Sequence, residues 1–115
     1  MTDARSHSAI GEAKILLPRT IVRDSLIYVR TLISHPMDTG FFKDHEGHPI
    51  PAHFIQEVTV AYGGEEIGRF LWTSGVSRDP FLTFPIQATR EAPLVVTWKD
   101  NQGGVYRQSV DVRFS

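Results

Sequence analysis

The chain has 115 residues, a length that suits one domain with a single hydrophobic core and is too short for two domains. Its formal net charge is −1 without any basic run, and no apolar stretch approaches the ~20 residues of a transmembrane helix, so we expect neither nucleic acid nor a membrane as a partner. Cysteine is absent, which excludes disulfides, thiolate metal sites and thiol nucleophiles.

The first eleven residues are small and polar, and they predict a flexible N-terminal arm (1–11) before a single domain (12–115). They lack the apolar segment of a secretory signal peptide. We therefore expect no export signal of a standard kind in this chain.

The remainder of the chain consists of strand-length apolar segments separated by turns. Gly63-Gly64 predicts a hairpin, because both residues can adopt positive φ, and the turn 100–104 predicts another. Seven strands without a helical pattern are typical of an all-β, immunoglobulin-like β-sandwich. The candidate strands are 14–17, 24–33, 53–62, 65–73, 81–88, 94–99 and 105–114.

Two of these segments predict their own place in a sheet. Segment 24–33 carries apolar side chains on both faces, which indicates a central strand covered on both sides. Segment 81–88 contains Pro85, which cannot donate a ladder hydrogen bond. We expect that strand at a sheet edge or at a bulge.

A long connection, 34–52, separates the second and third strands and contains several prolines and glycines. Connections of this length in a compact domain are uncommon and usually functional or disordered. The apolar pair Phe41-Phe42 argues against disorder, and we expect its rings to pack on this domain or on a partner. Of the larger aromatic set we expect most members in the core and the rest at an interface. That set is Trp72, Trp98, Phe41, Phe42, Phe70 and Phe81.

Histidines concentrate in and just after this connection, at His35, His45, His48 and His53. Such a group could ligate zinc or copper, with carboxylates as oxygen donors, so a small histidine-loop metal-binding sandwich is the alternative function. Its spacing matches no strong metal signature, and turn or surface histidines are the competing interpretation. The carboxylates available in the connection are Asp38, Asp44 and Glu46.

Catalytic signatures are absent from the sequence. Ser74 and Ser77 lie in a turn without a G-x-S-x-G elbow, and no carboxylate pair forms an acid–base couple. The residues favour a binding or assembly module, and we expect neither enzymatic activity nor a cofactor.

Several short runs, in order and with their spacing, resemble the SoxZ family. They are HPMDTG at 35–40, KD at 43–44, Gly47, IPAHFI at 50–55, EVTV at 57–60, SRDPFLTF at 77–84 and VTWKDNQG at 96–103. The resemblance implies an immunoglobulin-like sandwich that forms a heterodimer with SoxY, a second sandwich protein whose C-terminal cysteine carries sulfur during thiosulfate oxidation.

The resemblance also implies a setting for the complex. It is a periplasmic carrier that transiently meets other sulfur-oxidation enzymes, and SoxZ is exported together with its signal-bearing partner. An isolated SoxZ-like chain could self-associate through the vacant interface. The residues we expect at the partner interface are His35, Pro36, Met37, Asp38, Gly40, Phe41, Phe42, Ile50, Pro51, His53 and Phe54.

Overall fold

The computed structural model describes residues 9–115, and this part of the chain forms seven strands in two antiparallel sheets and no helix. One sheet has the strand order β1-β2-β5 and the other β4-β3-β6-β7. Within these residues no helix is therefore long and apolar enough to cross a membrane. The predicted all-β sandwich of seven strands is confirmed. The strands are β1 (Ala13–Leu16), β2 (Leu26–Ile33), β3 (Ile55–Tyr62), β4 (Glu65–Leu71), β5 (Phe81–Gln87), β6 (Ala92–Asp100) and β7 (Val105–Val112).

The predicted N-terminal arm falls mostly on residues 1–8, outside the described residues. Its last residue, Gly11, donates a backbone hydrogen bond to the carbonyl of Ser34 at 2.8 Å. The end of this segment is therefore held against the chain just after β2.

The core lies between the two sheets and is built from alternate residues of the strands. On β3 the buried face carries Val58, Val60 and Tyr62, as the alternation in the sequence predicts. Trp98 of β6 is fully buried at the centre of the same layer. Burying one aliphatic side chain such as Val58 stabilises the folded state by about 1.5–3 kcal/mol relative to leaving it exposed. The buried side chains between the two sheets therefore hold the sheets together.

Both predicted hairpins are present. Gly63 and Gly64 have φ of 60° and 85° and join β3 to β4, and residues 100–104 join β6 to β7. Positive φ at both central residues matches the right-handed twist of the flanking strands. The glycine pair therefore fixes the β3–β4 register, in which Tyr62 faces Glu65.

Strand β5 is an edge strand, as Pro85 predicts. Ala88 donates its N–H to the carbonyl of Ser25 at 2.9 Å, which marks a hydrogen-bonded pair just beyond the β2–β5 ladder. Bonded and non-bonded pairs alternate along an antiparallel ladder, so Pro85, opposite Tyr28, belongs to a non-bonded pair. The nitrogen of Pro85 consequently points to the free edge of the sheet.

Strand β2 is central in its sheet, but the prediction that both its faces are covered is wrong within this chain. The sandwich has two layers, so the four-stranded sheet covers only one face of β2. Ile27, Val29, Thr31 and Ile33 are buried, while Leu26, Tyr28, Arg30 and Leu32 are exposed.

The expectation that most of the six larger aromatics lie in the core is also wrong. Trp98 is buried, and Trp72 and Phe70 are half-buried. The other three, Phe41, Phe42 and Phe81, are exposed, because they lie on the long connection or on the outer side of β5. These side chains leave more apolar surface in solvent than the sequence suggests.

Candidate functional site

A buried carboxylate at the end of β6 lies between the long connection and the turn to β7. The Oδ2 atom of Asp100 is 3.1 Å from His35 Nε2, 2.8 Å from His53 Nε2 and 2.7 Å from the hydroxyl of Tyr106. We call these four residues the Asp100 network. His35 begins the connection and His53 follows it, so the network draws both ends of the connection to the β6–β7 turn.

The other oxygen of Asp100 is equally engaged. Asp100 Oδ1 accepts hydrogen bonds from the backbone N–H of Gln102 at 3.0 Å and of Gly104 at 2.7 Å. Burial alone would raise the pKa of Asp100, but the hydrogen bonds from Tyr106, His35 and Gly104 outweigh it and hold that pKa well below its usual range. Asp100 is therefore an ionised, fully hydrogen-bonded carboxylate inside the protein.

The hydrogen bonds of His35 determine which ring nitrogen carries its proton. Its Nδ1 atom accepts the backbone N–H of Met37 at 3.1 Å, so the proton resides on Nε2, which donates to Asp100. Burial lowers the pKa of His35 even though the hydrogen bond to Asp100 opposes this. His35 is thus a neutral donor with both ring nitrogens satisfied.

Tyr106 closes the network from β7. Burial, and then its hydrogen bond to ionised Asp100, raise the pKa of Tyr106 to about 12. Its hydroxyl therefore stays protonated and donates throughout the physiological range.

Backbone pairing reinforces these contacts within the connection. Asp38 and His53 form an isolated antiparallel bridge, with N···O distances of 2.7 and 2.9 Å in the two directions. The side chain of Asn101, next to Asp100, donates to the carbonyl of Ala52 at 3.0 Å. The network and these bonds together hold both ends of the connection against the end of the four-stranded sheet.

The histidines of the predicted metal site do not all come together. His35 and His53 meet Asp100 with their ligand atoms within 4.8 Å of one another, and within residues 9–115 no such group includes His45 or His48. A histidine that binds a metal through Nε2 carries its proton on Nδ1 and donates it to an acceptor. At His35 that position faces the N–H of Met37, which is a donor. The residues present therefore do not fit a metal ion bound by His35, and two remaining ligands fall short of the four that zinc takes.

The expected interface residues divide into three groups by exposure. His35 and Met37, near the start of the connection, are buried. Pro36, Asp38, Ile50, His53 and Phe54 are half-buried. Gly40 and Pro51 are exposed, together with Phe41 and Phe42, whose exposed fractions are 86% and 68%. The phenylalanine pair therefore does not pack on this domain.

Sequence reasoning missed Asp100 and Tyr106 as site residues. Asp100 opens a D-N-Q-G-G run that predicts a turn, and its Oδ1 does bond that turn. Its partner His35 lies 65 positions earlier, and no local pattern connects the two. The alternation of β7 predicts that Tyr106 faces inward but does not identify its partner.

The sequence profile of the family described as sulphur oxidation protein SoxZ matches residues 16–111. A search of curated protein sequences finds no significant relative.

Among solved structures, superoxide reductase (neelaredoxin) from Ignicoccus hospitalis is 17% identical with a TM-score of 0.68, over 98% of this chain and 88% of that one. A putative superoxide reductase from Thermotoga maritima is 16% identical with a TM-score of 0.69, over 99% and 92%. The sulfur carrier protein SoxY from Chlorobium limicola f thiosulfatophilum is 15% identical with a TM-score of 0.57, over 88% and 73%. At these identities the likeness concerns the fold.

Proposed function

Because the chain belongs to the SoxZ family of sulphur oxidation proteins, we propose that it is the non-catalytic subunit of the SoxY–SoxZ sulfur-carrier heterodimer. It binds and supports SoxY, whose C-terminal cysteine carries the sulfur intermediate of thiosulfate oxidation. The family match over residues 16–111 is the observation that carries this proposal.

The chemistry of the chain is consistent with the role of a non-catalytic subunit. Without cysteine it has no thiol to hold sulfur, so the sulfur must be attached to another chain. A second accessible thiol would also exchange with a sulfur-bearing cysteine of the partner, and a cysteine-free subunit avoids that reaction. The Asp100 network uses its hydrogen-bonding atoms to hold the long connection, which is a structural task.

The setting follows from the same resemblance. The complex works in the periplasm, where this subunit arrives together with its partner. There the carrier transiently meets the other sulfur-oxidation enzymes. The long connection, with Phe41 and Phe42 at its surface, is one contact region for these proteins, since aromatic side chains are enriched at interface hot spots.

Co-expression with the SoxY protein of the same organism tests the partnership. We expect an affinity tag on this chain to isolate both proteins in a 1:1 ratio by quantitative mass spectrometry. The isolated chain should not consume thiosulfate. Soluble, folded SoxY that fails to join the chain, or thiosulfate consumption by the chain alone, would contradict the proposal.

A double variant tests the contact region. Phe41→Ser with Phe42→Ser should leave the thermal midpoint of the isolated chain unchanged, because both rings are exposed. Its affinity for SoxY should fall at least tenfold by isothermal titration calorimetry if the pair is a hot spot. Ile67→Ser on β4, which removes another exposed apolar side chain, is the matched control and should bind like the unaltered chain.

A further inference from the structure

The outer side of the three-stranded sheet exposes an unusual number of apolar side chains. We call it the open face, and its large apolar residues are between 39% and 73% exposed. Where the outer side of an antiparallel sheet faces water, its residues are usually polar and alternate along each strand with the apolar residues of the core. The large apolar residues of the open face are Leu16, Leu26, Tyr28, Leu32 and Phe81.

The strand register makes these side chains one patch. Leu32 lies opposite Phe81, and Tyr28 lies opposite Pro85. On the other side of β2, Leu16 lies opposite Arg30. Directly opposed residues have Cβ atoms about 5 Å apart, and diagonal neighbours about 7–8 Å, so these side chains surround a middle row that contains Arg30 and Thr83.

The outer face of the four-stranded sheet has a different character. There Arg69 pairs with Glu57 and Glu66, and Arg107 on β7 donates to the hydroxyl of Thr97 at 3.3 Å. This surface also exposes Leu71 and Val105, but charged and polar side chains separate them, and such a mixed surface suits contact with water. The open face therefore carries more large exposed apolar side chains than the outer face of the four-stranded sheet, and they lie on fewer strands.

The size of the open face also suits an interface. Its five large apolar side chains expose roughly 500 Å², which is the size of the largest apolar patches on monomeric proteins, and such patches are often functional. A standard interface buries about 800 Å² on each partner, of which the centre is the most apolar part. The apolar side chains of the open face are enough to form most of the apolar centre of such an interface.

We infer that the open face is the surface on which this chain binds SoxY, with a sheet of the partner stacked on β1, β2 and β5. The inference rests on the proposed function and adds the location of the interface. It accounts for the two-sided apolar pattern of β2, because the chain's own core covers one side and the partner covers the other.

Charge favours a different chain over a second copy as the occupant. Arg30 lies in the middle of the open face, Lys14 lies on the same face of β1, and the outward residues of the three strands include no carboxylate. A two-fold axis through the middle of the face would bring two Arg30 side chains together and bury like charges. The partner surface is therefore apolar, with a carboxylate placed opposite Arg30.

Two variants of the full chain test the inference in complex with SoxY. Tyr28→Glu places a charge inside the patch, and Arg30→Glu reverses the central charge. Both side chains are exposed, so the thermal midpoints of the isolated variants should match that of the unaltered chain. We expect Kd for SoxY to rise at least 100-fold for Tyr28→Glu and at least tenfold for Arg30→Glu. Ser109→Glu, exposed on the other sheet, should change Kd less than threefold.

The outcomes separate this inference from the proposed function. If the unaltered chain does not bind SoxY, both fail. If it binds and the two folded variants bind equally well, the open face is not the interface, although the partnership stands. If the unaltered chain forms a dimer that persists when SoxY is bound, and Tyr28→Glu dissolves that dimer without weakening SoxY binding, the occupant is a second copy and the inference is overturned.

Discussion

The carboxylate of Asp100 accepts five hydrogen bonds, from two histidines, a tyrosine and two backbone N–H groups. A buried charge is tolerable only when its hydrogen-bonding capacity is filled in this way. Charge-assisted bonds are also stronger than neutral ones. Asp100 therefore anchors both ends of the long connection, together with the backbone bridge between Asp38 and His53.

Replacing this ion with a neutral amide should be costly. In Asp100→Asn one oxygen becomes an NH₂ group facing donors, and the free energy of unfolding should fall by about 2–4 kcal/mol. Urea denaturation measures the change. Asp111→Asn, which affects only an exposed ion pair with Arg113, is the control and should cost less than about 0.5 kcal/mol. Equal effects of the two substitutions would disprove the role given to Asp100.

The network also predicts how stability depends on pH. The folded pKa values of His35 and Asp100 lie below their unfolded values, so the unfolded chain binds more protons and stability falls as pH drops below about 6.5. The folded pKa of Tyr106 is raised to about 12, so its contribution is complete below pH 10 and is lost as pH rises towards 12.

The urea concentration at the midpoint of unfolding, measured between pH 4 and pH 11, should therefore be highest between about pH 6.5 and pH 10. Tyr106→Phe cannot ionise, so its stability should decline less above pH 10 than that of the unaltered chain, after a uniform loss from the missing hydrogen bond. An unchanged alkaline slope in this variant would show that Tyr106 is not the group responsible.

At the scale of the strands, local patterns determine most of the architecture. The alternating apolar residues of β3 and the glycine pair at 63–64 are local sequence patterns. The first correctly predicts a strand with one buried face, and the second correctly predicts a hairpin. The Asp100 network joins residues 47 and 65 positions apart, so no local pattern reveals it. The two-sided character of β2 is visible in the sequence, but which side stays open depends on how the sheets pack.

The hairpin between β3 and β4 offers a direct test of the glycine argument. Gly64 has a φ of 85°, and a Cβ there would meet no atom within 4 Å, so only backbone strain opposes alanine. Gly64→Ala should lower the free energy of unfolding by about 1–2 kcal/mol. Gly75→Ala, at a glycine without positive φ, should change it by less than 0.5 kcal/mol, roughly the scatter of surface substitutions. Urea denaturation of both variants distinguishes backbone strain at positive φ from the effect of replacing any glycine by alanine.

At the scale of the whole molecule, the two outer faces of the sandwich differ in how their charges are arranged. On the four-stranded sheet Arg69 is paired with two glutamates, whereas the open face leaves Arg30 among apolar side chains. Such a charge is useful when the partner supplies a carboxylate and unfavourable when the chain meets itself. Arg30 therefore opposes the self-association that an isolated, patch-bearing chain would otherwise show.

Removing that charge should reveal the underlying tendency. Arg30→Leu should self-associate at concentrations at least tenfold lower than the unaltered chain, as measured by sedimentation velocity, because nothing then opposes contact between two open faces. The same substitution on the other sheet, Arg107→Leu, should have a much smaller effect. Identical sedimentation of all three proteins would show that Arg30 does not control association.

The nitrogen of Pro85 at the free edge of β5 also bears on how far any assembly can grow. A regular free edge would let one strand after another join in register, and contacts of that kind propagate into fibres. A proline at this position removes one of the N–H groups that such a strand would need. Stacking on a sheet face, in contrast, is finished once the face is covered. Pro85 thus favours finite complexes of fixed stoichiometry over open-ended polymers.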